Sequence, residues 1–174
     1  MDKSLKRLDD VHQKLLHIVG PLDSNLFTQR PSDSEWSVAE IVQHLYLVEE
    51  RVVKDLKRAI DSEPGRVSFL KKLIPTSIVA LRVRKFQAPK AVNPVDVPAK
   101  DQVLANYNGA RQCLKDLCNS QSRERFKTLV FRHPFLGRID GTTTVAFVGY
   151  HEQRHLKQIR EVLKKLGPSV SDKL

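Results

Sequence analysis

Four stretches of the chain repeat apolar residues at steps of three and four, the spacing that aligns them on one face of an α-helix. In the first, Leu5, Leu8, Val11, Leu15 and Ile18 make the stripe, and Gly20 and Pro21 stop it. The second has an explicit start. Ser37 followed by Glu40 spells a capping box, and Trp36 with Ile41 makes a hydrophobic staple across the same cap. Its inward stripe is Ile41, His44, Leu45, Val48, Val52 and Leu56. The third, Asp101 to Asn119, turns Leu104, Tyr107, Leu114 and Leu117 inward. The fourth carries Val148, His151, His155, Ile159, Val162 and Leu166 and ends at the stop signal Gly167-Pro168. Its N-cap falls in the turn from Gly137 to Thr144, at Asp140 or at a neighbouring threonine.

The stretches between are of two kinds. Pro21 to Glu35 has the Asp, Ser, Asn and Pro content of a loop. From Asp61 to Lys100, Pro64, Pro75, Pro89, Pro94 and Pro98 cut the chain into short pieces. Within it, Val67, Leu70, Leu73 and Ile74 suggest a brief helix, and Ser77 to Val83 offers a second apolar patch. Such a long connection is usually functional and could wall or cover a site. After Asn119 comes a charged run, then Phe126, Leu129, Val130 and Phe131 leading to His133-Pro134, where the proline holds His133 extended and off any helix. With no strand-length alternation, the pattern predicts a single all-α domain over residues 1–174. It is a four-helix bundle whose long proline-rich crossover allows two neighbouring helices to run parallel.

The stripes carry an anomaly: three of their inward positions are histidines. His151 and His155 are four apart on one helix, so their rings project one turn above the other. Buried polar rings need partners, and a metal ion serves two imidazoles at once. The stretch reads H-E-x-x-H, the zincin signature, but the places for the glycine and third histidine of the extended form hold Gln158 and Glu161. Little chain follows Leu166 to supply a glutamate from a further helix. A third ligand must therefore come from upstream, where His44 faces inward. A lone inward histidine is ordinarily a satisfied core residue, but three on two helices could bind one ion on one face and leave positions open, as in catalytic sites. Glu152 is a candidate base or a residue orienting an imidazole, and equally a solvent-facing helix glutamate beside Arg154. Gln158, Tyr150 and His133 are further candidates for supporting the ligands. His12 lies beside the first stripe, and His17 lies away from it.

Composition changes this picture little. The 174 residues are 40% hydrophobic and 29% charged, enough for one domain with its own core. The amino end mixes charges among its apolar residues, unlike a signal peptide, and no run approaches membrane-spanning length. Cys113 and Cys118 sit five apart on a helix without facing each other, which suits reduced thiols in a cytoplasmic protein rather than zinc ligands. The formal charge of +10 raises nucleic-acid binding. Much of the excess lies in connections, among Lys71, Lys72, Arg82, Arg84, Lys85 and Lys90 and again from Arg123 to Arg138, with no zinc-knuckle, RNP or basic-zipper pattern. Solvated surface charge is the simpler reading, and an anionic substrate a further one.

The chain resembles the DinB-like (YfiT-like) family of metal-dependent enzymes, which is distinct from the DNA polymerase of similar name. The likeness rests on Trp36-Ser37-Val38-Ala39-Glu40-Ile41-Val42-Gln43-His44-Leu45, on His133-Pro134 with Gly137, and on His151 to His155 followed by Gln158-Ile159. It implies an up-down-down-up bundle, often homodimeric, with a divalent metal held at His44, His151 and His155. Imidazole suits zinc, nickel, iron and copper alike; zinc or nickel comes first here, with iron or manganese after them. Characterised members include S-transferases that use low-molecular-weight thiols, and others carry the label of metal-dependent hydrolase. The expectation is thus a metal-dependent enzyme on a small-molecule substrate, a thiol-dependent S-transferase first and a hydrolase second. A basic binding module for a polyanion or protein is the non-catalytic alternative.

Overall fold

In a computed structural model of the chain, the structure describes residues 2–65, 67, 89–133 and 137–167. The helix and apolar patch anticipated between residues 67 and 83 otherwise lie outside these. Four long helices form the body: α1 (Asp2–Val19), α3 (Val38–Ile60), α4 (Lys100–Ser120) and α6 (Gly141–Leu166). Between them come two short helices, α2 (Ser24–Thr28) and α5 (Arg123–Thr128), a 3-10 turn at Lys90–Val92, and strands β1 (Val130–His133) and β2 (Gly137–Asp140).

Each helix begins where its sequence can satisfy free backbone N–H groups. The box at the start of α3 is closed both ways, with Ser37 Oγ accepting from Glu40 N–H and the Glu40 carboxylate accepting from Ser37 N–H. Arg30 holds that carboxylate from the other side. Asp140 is the cap that starts α6, accepting from Thr143 N–H at 2.8 Å. Asp23 and Ser122 cap the two short helices in the same way.

Side-chain pairings give the directions of the helices. His12 meets Asn108 and Asp9 meets Lys115, so α1 and α4 are antiparallel. Glu49 meets Arg111 while Arg125 reaches Ile60, so α3 runs parallel to α4. Gly149 lies against Arg7 and Leu8, and Glu152 approaches His12, so α6 runs with α1. The order is up, down, down, up. Because α3 spans 23 residues, about 34 Å at 1.5 Å per residue, a parallel successor demands a crossover of comparable reach.

Two departures from the sequence pattern are local. The segment 21–35 contains a helical turn because Asp23 caps it and Phe27 is buried beneath it. The segment 123–140, anticipated without strands, holds α5 and a two-stranded antiparallel hairpin pairing Val130 with Asp140 and His133 with Gly137. Four-residue strands are too short to show alternation. A third departure concerns α4, where Val103, Tyr107, Ala110, Arg111, Leu114 and Cys118 are buried and Leu104 and Leu117 flank them half-buried. An arginine at the centre of a buried stripe does not register in an apolar pattern.

The core divides into two apolar clusters. One gathers Leu15, Ile18, Phe27, Ile41, Leu45, Tyr107 and Ile159; the other gathers Leu8, Val53, Leu56, Leu114, Phe126 and Val148. In chain order Glu49 falls between them on α3, Arg111 on α4 and Glu152 on α6. A polar layer thus crosses the middle of the bundle.

Candidate metal centre

His44 stands seven residues past the Ser37 cap, so the anchored start of α3 sets its height in the bundle. His151 and His155 come from the middle of α6 and meet it across the α3–α6 contact. The rings lie 5.2 Å (His44–His151), 4.9 Å (His44–His155) and 4.5 Å (His151–His155) apart, centroid to centroid. One ring nitrogen from each falls within 4.8 Å of the other two. His44 and His155 are buried and His151 half-buried.

The remaining nitrogens fix the tautomers. His44 Nδ1 is 2.7 Å from the Val92 carbonyl, which can only accept, so Nδ1 carries the proton and Nε2 presents a lone pair. The 3-10 turn in the crossover therefore does reach the site, as a backbone wall behind His44. His155 Nδ1 is 2.9 Å from Gln158 Oε1, which leaves His155 Nε2 as its free lone pair. That nitrogen faces His151 Nε2 at 3.2 Å. Such outer hydrogen bonds are what metal-binding imidazoles have.

Burial favours neutral, ligand-competent rings. Desolvation is the main cause for all three, driving His151 and His155 well below the ordinary histidine value; at His44 the Val92 carbonyl opposes it. Each of His151 and His155 is lowered further by its imidazole neighbours. No described carboxylate joins the cluster.

The other candidates divide. Gln158 holds His155, as above. Tyr150 does not face the cluster: Arg7 of α1 stacks over its ring at 4.2 Å. His133, at the extended end of β1, packs edge-on against Phe147 at 4.4 Å, and Phe147 in turn stacks on His151 at 5.3 Å. It thus sits one aromatic ring away from the cluster, and burial lowers its pKa to about 4.

Glu152 is neither solvent-facing nor aimed at the cluster. Its position, 100° around the helix from His151, directs it into the polar layer, where it is 1% exposed. Its Oε2 accepts from Arg111 Nη2 at 2.8 Å. The same guanidinium binds both Glu49 oxygens at 2.7 and 3.0 Å and donates to the Leu8 carbonyl at 2.6 Å. Two buried carboxylates thus share one cation. Burial first and the Glu49 charge second raise Glu152 well above the carboxylate range. Its Oε1 and His12 Nδ1 lie 3.9 Å apart, and neither has a hydrogen-bond partner among the described residues. Glu49 and Arg111 were not signalled by the sequence, since a charged residue at a stripe position reads as a break in the stripe.

A four-helix bundle with three inward imidazoles on two facing helices is the class that fold and site define. The chain belongs to the DinB superfamily, whose model matches residues 7–159. The protein YuaE of Bacillus subtilis is 28% identical over 146 residues, covering 83% of this chain and 88% of YuaE. Among solved structures, the four-helix bundle protein TT2238 superposes with a TM-score of 0.64 at 21% identity, over 92% of this chain and 98% of its own. YfiT from B. subtilis, described as "a probable metal-dependent hydrolase with an unusual four-helix bundle topology", gives 0.66 at 19% identity, over 95% of this chain and 87% of its own. These likenesses establish the fold. Among the described residues, no helix is long and apolar enough to cross a membrane.

Proposed function

We propose that the protein is a metal-dependent enzyme whose divalent ion is held by Nε2 of His44, His151 and His155. The observation that carries this reading is the pair of outer hydrogen bonds. Val92 and Gln158 take the Nδ1 protons of two buried rings, and the lone pairs left behind converge with His151 Nε2 in a cluster that no described carboxylate joins. Three protein ligands are the number that leaves an ion open to a further ligand. Bound there, the ion would lower the pKa of a coordinated thiol or water.

The protein's own residues favour the thiol. Glu152, engaged by Arg111, is not placed to take a proton from a water at the cluster. A thiol, ordinarily near 8.5, needs far less help to ionise than water near 15.7. The reading is therefore a thiol-dependent S-transferase, in which a low-molecular-weight thiol attacks an electrophilic small molecule. Hydrolysis is the second reading, favoured by the structural likeness to YfiT.

Metal analysis of protein purified without chelator or nickel resin is the first test, and it also discriminates zinc or nickel from iron or manganese. Turnover of an electrophilic aryl halide and of an aryl ester is then measured with and without added thiol. Thiol-dependent turnover, lost to chelator and restored by metal, is expected. Turnover of the ester alone would select hydrolysis. Stoichiometric loading that persists in a His44→Ala, His155→Ala double variant would sink the metal assignment.

A further inference from the structure

A second binding feature lies on the hairpin. In its register Arg132 is paired directly with Arg138, and both side chains are exposed. Like charges placed opposite each other on a sheet are destabilising. Neither arginine has an acidic partner among the described residues. Their unfavourable pairing is therefore unrelieved within the described protein. Successive residues of a strand point to opposite faces, so these arginines project away from the face on which His133 meets Phe147.

The same two arginines line a cavity of about 630 Å3, together with Val130, Phe131, Ser62 and Glu63. The volume is that of a small-molecule site. Its shape depends on a close approach of the loop after α3: Gly65 N–H donates to the Thr128 carbonyl at 2.9 Å, and a Cβ on Gly65 would fall 2.9 Å from Val130 Cγ2. Any larger residue would lift this wall off the hairpin. A smaller hollow of about 300 Å3 continues past Arg132 to Arg51 and Arg58. Asp55 bridges these last two and Glu63 adds one negative charge, so four guanidinium groups face two carboxylates across the whole groove. The main cavity thus combines two guanidinium groups with apolar lining from Ala59 and Val130.

We propose that this groove binds a small organic phosphate, with the phosphoryl group between Arg132 and Arg138 and the organic portion against Val130 and Ala59. Paired guanidinium groups match the geometry and charge of a phosphate oxyanion. The bound anion also removes the repulsion that the free hairpin bears. A polynucleotide, which the overall charge would also attract, is disfavoured because Asp55 and Glu63 interrupt the row of arginines along the groove.

Isothermal titration with phenyl phosphate tests this, using inorganic phosphate and a single-stranded 20-mer of DNA as comparators and adding a chelator throughout. Saturable binding of phenyl phosphate is expected, weaker for inorganic phosphate. Arg132→Gln and Arg138→Gln should each weaken it by about tenfold, whereas His155→Ala should leave it unchanged, separating this site from the histidine cluster. Relief of the like-charge pair should leave the melting temperature of both arginine variants at or above that of the unaltered protein. No saturation up to about 10 mM phenyl phosphate would overturn the proposal, as would full binding by both arginine variants. So would a DNA complex that phenyl phosphate fails to displace, or a lower melting temperature in either arginine variant, which would make the pair structural.

Discussion

The middle of this bundle contains two buried polar clusters, built largely from the same two helices and treated in opposite ways. Where α3 supplies Glu49 and α6 supplies Glu152, the carboxylates are answered by Arg111 from α4, and nearly every polar atom has a partner. Where α3 supplies His44 and α6 supplies His151 and His155, the rings are held from behind by Val92 and Gln158 and aimed at one another. The first cluster is closed electrostatically by the protein itself. The second is pre-arranged but incomplete, which is the condition of a binding site. Proximity in sequence does not imply proximity in role: His151 and Glu152 are consecutive and serve different clusters.

The largest expected effect breaks the closed cluster. Arg111→Met removes the one cation that, among the described residues, holds two buried carboxylates, and should cost about 3–5 kcal/mol in urea unfolding. Adding Glu49→Gln and Glu152→Gln should recover part of that loss. If Arg111→Met alone costs less than about 1 kcal/mol, the contacts of Arg111 with Glu49 and Glu152 do not hold this layer together.

The second effect is on acid stability at the edge of that cluster. His12 donates from Nε2 to Asn108, stacks on Tyr107 at 4.6 Å, and is lowered from 6.5 to about 4, first by burial and then by the Arg111 charge. The unfolded chain takes up this proton as pH falls below 6.5, while the folded chain resists until about 4. Stability is therefore lost across that interval, by up to about 3 kcal/mol. Glu152, raised when folded, acts in the opposite sense: its contribution is full below the ordinary carboxylate value and declines as pH rises through its folded value. Unfolding of the unaltered protein and of His12→Gln, compared from pH 7 to pH 4, isolates the histidine contribution; parallel curves would contradict it.

The open cluster should answer to metal instead. On the proposed reading, a divalent ion at a hundred times its Kd stabilises the fold by about 2.7 kcal/mol. Substituting His44, His151 or His155 by alanine should abolish that gain in thermal melts, while the Arg111 variants retain it. Loss of the gain in both groups would mean that the clusters are not separable.

The smallest effect probes how His44 is placed. Ser37→Ala removes one half of the capping box and should cost about 1 kcal/mol. It should weaken metal binding by loosening the start of α3, with Glu49 three turns further along left in place. Equal affinity in the variant would show that packing, not the cap, sets the height of His44.

By itself the sequence determined the four helices, the box before Val38, the stop at Gly167 and the inward direction of all three histidines, because these follow from periodicity and from hydrogen bonds within a few residues of each other. It left Glu152 undecided and passed over Glu49 and Arg111, since a buried charge is recognisable only through a partner, and these partners are 41 and 62 residues from one another along the chain. The hairpin and the arginine pair it presents were equally hidden, four-residue strands being too short for a pattern. Tertiary structure alone decided which polar side chains would neutralise one another in the interior and which would be left converging, because that depends on contacts between helices and not on the order of residues within one.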